Sequence, residues 1–149
     1  MTDGLPVRIG PRSDRRVPLT RTQAQIWTSQ RLHPEAPLAN MAYRIRLAGR
    51  LDPERLTRAF DTVVRATEAL RMVVDDGAEP SARILAAPPR STAVVDVPAT
   101  EAEAWTHDRI ERPIDATECV YDSVVLRHAD DDWTWWLDLH HVATDAWSS

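Results

Sequence analysis

Trp133-Thr134-Trp135-Trp136-Leu137-Asp138-Leu139-His140-His141 is the stretch on which the fold turns. Trp133, Trp135, Leu137, Leu139 and His141 fall on one face of an extended chain, and Thr134, Trp136, Asp138 and His140 on the other. Period two in a run of large apolar residues predicts a strand. A second β-rich run, 121–128, precedes it, and Asp130-Asp131-Asp132 reads as an acidic hairpin connection.

Outward from this hairpin, helices and strands alternate. Asp52 is placed to cap a helix over 52–69 with Pro53 in its first turn. Leu56, Phe60, Val63, Val64 and Thr67 recur there at helical spacing, a stripe to lay on the sheet. Thr20 and Gln23 have capping-box spacing and open a short helix that stops near Pro34. Strands are predicted over 41–47, 71–74, 83–86 and 93–97, and a helix over 100–111, stopped before Pro113. This order predicts an α/β lobe, a mixed sheet packed with helices. Residues 1–19, with Arg8, Arg12, Arg15 and Arg16 among glycines and prolines, read as a flexible N-terminal arm or a docking segment. Residues 20–149 form the lobe, and the run from Asp145 to Ser149 reads as the start of a helix capped by Thr144 or Asp145.

The composition narrows the function. The chain has 149 residues, one domain's worth, and a net charge of −5, which argues against nucleic-acid binding. No apolar run approaches the 18 residues of a membrane span, and no apolar segment after Met1 marks secretion. One cysteine, Cys119, suits a reducing cytoplasm. All 18 basic residues are arginine, which removes Schiff-base lysines and the P-loop; no G-x-G-x-x-G is present.

His140 and His141 point to opposite sides of their strand, so they do not readily share one metal. His141, at the strand's end, is placed to take a proton from an attacking amine or hydroxyl; a satisfied core histidine is the plainer reading. Asp145, four residues on, either orients His141, pairs with an arginine or caps a helix. Ser148 lacks the Gly-x-Ser-x-Gly turn of hydrolases, and Cys119 lacks a nucleophile signature.

Leu139-His140-His141-Val142-Ala143-Thr144-Asp145-Ala146-Trp147-Ser148 resembles the HHxxxDG-(W)-S motif of condensation domains from non-ribosomal peptide synthetases. Two further segments agree in the same order. Leu19 to Trp27 is similar to the family's opening S-x-A-Q-x-R-x-W helix, and Glu68-Ala69-Leu70-Arg71 to the core of R-H-E-x-L-R-T-x-F. Ala146 stands where the family has glycine, and Ala66-Thr67 where it has Arg-His. The resemblance implies the N-terminal one of two chloramphenicol-acetyltransferase-like lobes, the C-terminal lobe being absent from this chain. It implies amide formation between a carrier-bound acyl or peptidyl donor and an aminoacyl acceptor. His141 is then the catalytic histidine, His140 its motif partner, and Asp145 a structural partner of Arg71. No directly bound cofactor is implied, the substrates riding on phosphopantetheine of donor and acceptor carrier proteins. The lobe alone is expected to be inactive and prone to self-association. An upstream synthetase subunit is a candidate partner for residues 1–19. Alternatives within reach of the same motif are an ester-forming acyltransferase and a non-catalytic docking or degenerate lobe; a metal site at His141 and Asp145 stands last.

Overall fold

A computed structural model describes residues 14–144. Its elements are β1 (Arg15–Pro18), α1 (Arg21–Leu32), β2 (Asn40–Ala48), α2 (Pro53–Ala66), a 3-10 turn (Ala69–Arg71), β3 (Met72–Asp75), β4 (Ser81–Ile84), β5 (Ala93–Asp96), α3 (Ala102–Ile110), β6 (Tyr121–Ala129) and β7 (Asp132–His140). The predicted hairpin stands at the centre of a four-stranded sheet in the order β2-β7-β6-β5. β2, β7 and β6 run antiparallel, while β5 lies parallel to β6 and reaches it through α3. The sheet is therefore mixed, as the strand order predicts.

Both faces of this sheet are covered. Phe60 of α2 meets Trp135 and Tyr121 edge-on, with ring centroids 5.6 and 5.4 Å apart. Trp105 of α3 meets Trp136 edge-on at 6.0 Å on the opposite face. Such pairs contribute ~0.5–1.5 kcal/mol beyond the apolar area they bury. The α2 side belongs to a core that also holds Trp27, Val64, Val74, Ile84, Leu139 and Val142; the α3 side is a smaller cluster around Val124, Leu126 and Trp136.

The structure corrects the sequence reading at four places. Residues 15–18 are not a free arm: β1 pairs antiparallel with β4. Val17 packs on the core, and Arg15 and Arg16 reach Glu68 and Asp75 at 2.8 and 3.1 Å. One inward residue in a four-residue edge strand is too little periodicity to read locally. Residues 1–13 lie outside the described residues. Secondly, β1, β4 and β3 make a separate three-stranded sheet, not part of one mixed sheet. Thirdly, α2 ends at Ala66, and Val63 is exposed; the buried line is Phe60 and Val64, one turn apart, and Val63 is rotated about 100° from Val64. Lastly, β7 ends at His140, so His141 occupies the turn that follows.

Candidate functional site

The turn after β7 is tied down on every side. His140 N–H donates to the Val120 carbonyl and His141 N–H to the Ala39 carbonyl, both at 2.8 Å, and Ala143 N–H donates to the His140 carbonyl at 2.9 Å. These bonds join the ends of β6, β7 and the loop before β2, so the two histidines sit on rigid backbone.

Their rings differ in state because their partners differ. Nδ1 of His140 accepts from Val142 N–H at 3.1 Å, which places the ring proton on Nε2. That Nε2 has no hydrogen-bond partner among the described residues, and the side chain is fully buried. Burial, with His141 adjacent, pushes the His140 pKa down to about 4. His140 is thus a neutral structural ring at ordinary pH. Nδ1 of His141 lies 3.0 Å from the Thr144 carbonyl. A carbonyl only accepts, so Nδ1 carries a hydrogen, and in the neutral ring the lone pair then lies on Nε2. Half-buried, His141 faces a cleft of ≈190 Å³ lined by Ile26, Ser29, Gln30, Leu38 and Ala39. A neutral ring held in one tautomer beside this cleft has a positioned lone pair, the first thing a general base needs.

Arg71, the third expected site residue, ends the 3-10 turn and donates from Nη1 to the Leu85 carbonyl. Its buried Nε has no partner among the described residues. Asp145 lies outside the described residues, and with it the expected pair to Arg71 and the predicted helix start. Among the described residues no three His, Cys, Asp or Glu side chains gather as a metal site. Cys119 is buried, donates to the Tyr121 carbonyl at 3.2 Å, and burial pushes its thiol pKa up, leaving it protonated and inert.

Two sets of contacts escaped the sequence reading. Gln23 closes the α1 capping box and also reaches the Val142 carbonyl at 3.0 Å. Asn40 donates to Asp138 at 2.8 Å and to the Arg112 carbonyl at 2.9 Å, and accepts from Ile114 N–H at 3.2 Å. It fastens β7 to the loop after α3. Asp138 is 2% exposed and faces Asp122 across β6 and β7. Burial first, then the Asp122 charge, raise the Asp138 pKa to about 6. Asp122 itself takes a two-pronged ion pair from Arg109 at 2.6 and 2.8 Å. These bonds span 72 or more residues for Asn40 and 119 for Gln23, so no local spacing announces them.

Comparison with known proteins agrees with this geometry. The Condensation domain family matches residues 13–149. An isonitrile lipopeptide synthase of Mycobacterium tuberculosis is 33% identical over 141 residues, covering 89% of this chain and 6% of that protein. One from Streptomyces coeruleorubidus is 33% identical over 144 residues, covering 91% of the chain and 10% of that protein. Among solved structures, a starter condensation domain of the rhizomide synthetase RzmA superposes with a TM-score of 0.80 at 25% identity, covering 89% of this chain and 34% of that one. The same domain in complex with C8-CoA gives 0.76 at 25% identity, covering 85% and 31%. The chain therefore spans a tenth or less of these two curated relatives and about a third of the structural neighbours.

Proposed function

The chain belongs to the condensation-domain family, and from that premise we propose that it supplies the base-bearing lobe of an amide-forming site. The observation that carries the reading is the Nδ1 bond of His141 to the Thr144 carbonyl, which puts the lone pair of the neutral ring on Nε2, in a side chain that lines a largely apolar cleft. In the reaction, the amine nitrogen of a carrier-bound aminoacyl acceptor attacks the thioester carbonyl of a carrier-bound donor. The C–N bond forms, the C–S bond breaks, and the proton lost by the amine passes to His141 Nε2 and on to the departing thiolate. Phosphopantetheine enters as the tether of both substrates and not as a resident cofactor. Ile26, Leu38 and Ala39 give the cleft an apolar lining suited to the acyl part of the donor. The solved relative with C8-CoA is consistent with such an acyl thioester donor. No helix among the described residues is long and apolar enough to cross a membrane, which suits a domain that meets carrier proteins in solution.

Asp145 is assigned the structural role of holding the turn against Arg71. Support comes from the unpartnered Arg71 Nε and from the position of Met72, whose sulfur lies 3.7 Å from the Gln23 amide that also binds Val142. Arg71→Ala and Asp145→Asn are each expected to cost about 3–5 kcal/mol if the pair is buried, and the double variant little more than either single one. Additive losses in denaturant melts would argue against the pairing.

The decisive test of the function uses the lobe with a C-terminal lobe attached, a loaded donor carrier and an aminoacyl acceptor carrier. His141→Ala is expected to lower the rate of amide formation about 10²–10⁴-fold while the fold persists. Full activity of His141→Ala would overturn the proposal.

A further inference from the structure

We propose that Gln23 is a positioning residue that fixes the ring state of His141. Its side chain holds two backbone groups at once. Oε1 accepts from Thr20 N–H at 2.9 Å, completing the capping box of α1. Nε2 donates to the Val142 carbonyl at 3.0 Å. A helix cap needs the first bond and has no use for the second.

The second bond falls at a sensitive point of the turn. Val142 is 2% exposed, and Gln23 is the donor that its carbonyl finds in the structure. That carbonyl belongs to the peptide joining Val142 to Ala143, and its plane sets the course of the chain toward Thr144. The Thr144 carbonyl is in turn the group that receives the His141 Nδ1 hydrogen. The other ends of the turn are held separately, by the His140 ring on Val142 N–H and by the His140 carbonyl on Ala143 N–H. Gln23 thus closes the remaining freedom of the turn, and through Thr144 it keeps the lone pair of His141 on Nε2. Gln23 also touches Met72 at 3.7 Å. It joins the opening helix, the strand after Arg71 and the histidine turn at one amide.

The inference rests on the reading of His141 as the base only for its catalytic consequence; the clamp itself is testable without turnover. The probe is the ring-nitrogen NMR spectrum of the chain labelled with ¹⁵N-histidine, His141→Asn identifying the signals. A nitrogen bearing hydrogen and one bearing a lone pair are well separated, so the parent chain shows one of each for His141. Gln23→Glu keeps an oxygen for Thr20 N–H, as a glutamate does in an ordinary capping box, but turns an acceptor toward the Val142 carbonyl. We expect it to move the two His141 signals toward each other as both tautomers become populated. Thr20→Ala, which removes the cap and spares the clamp, is expected to lower the melting temperature and leave the signals in place. Should Gln23→Glu not fold, Gln23→Met compared with Thr20→Ala gives the same contrast. Unchanged His141 signals in the Gln23 variant, or an equal change in Thr20→Ala, would overturn the proposal. In the two-lobed domain, Gln23→Glu is expected to lower kcat at least tenfold with KM within about twofold. Failure of His141→Ala to lose activity would sink the base assignment while leaving the nitrogen shifts to decide the clamp.

Discussion

At the scale of single residues, burial sets two side chains against each other along the pH axis. His140 titrates at about 4 in the fold and near 6.5 in the unfolded chain. Between those values the unfolded state binds more protons, so this contribution to stability is fully present above about pH 6.5 and is lost as pH falls toward 4. Asp138 titrates at about 6 in the fold against an ordinary 3.8. Here the folded state holds the extra proton, so stability is lost as pH rises from about 4 through 6. Each shift corresponds to roughly 3 kcal/mol at most, and the signs oppose. Melting temperatures of the parent chain should vary little between pH 4 and 6.5. Asp138→Asn keeps an oxygen for the Asn40 donor and removes only the second slope. Its melting temperature should climb with pH across the same window, and at pH 7.5 it should equal or exceed the parent. Parallel pH profiles for the two proteins would show that Asp138 does not titrate as described.

At the scale of elements, the reading of α2 from spacing alone and its packing in the structure differ at one residue, and that residue is testable. Phe60 stands edge-on to two rings and is buried; Val63 is half exposed on the next face. Phe60→Ala should cost about 3–5 kcal/mol, whereas Val63→Ala should stay within about 0.5 kcal/mol in urea melts. Comparable losses would restore Val63 to the core stripe. The contrast shows why the strand of alternating tryptophans and the capped helix were legible: a regular period spans several residues and survives one misplaced position. β1 was not legible, because its single inward residue acquires meaning only beside β4. Deleting residues 1–18 removes β1 together with the Arg15–Glu68 and Arg16–Asp75 pairs and should lower the melting temperature by several degrees. At the site, the period carried the strand one residue too far, to His141, and only the motif singled that residue out. Gln23 was legible only as a cap, because a contact across 119 residues depends on how two elements pack and leaves no local pattern.

For the whole molecule, the question is what one lobe can do alone. His141, the base of the proposed reaction, stands on hydrogen-bonded backbone, but the cleft beside it is small, ≈190 Å³, with Leu38 exposed at its rim and Leu32 exposed one turn beyond Ser29. A single acid–base group contributes about 10²–10⁴-fold, whereas holding two tethered substrates in line can supply ~7–11 kcal/mol of the barrier. Orientation is therefore the larger factor, and a surface that contacts the substrates from one side supplies little of it. The lobe alone, offered a loaded donor carrier and an aminoacyl acceptor, should form no amide above the uncatalysed rate. Adding a separately produced C-terminal lobe should restore product, and His141→Ala in the first lobe should remove it again. If the exposed Leu32 and Leu38 lie on the face a second lobe covers, the lobe alone should show a concentration-dependent mass in light scattering, relieved by that lobe or by Leu38→Arg; a constant mass would argue against this. Product from the single lobe that disappears with His141→Ala would mean that the base and its cleft suffice, and that the second wall adds specificity more than rate.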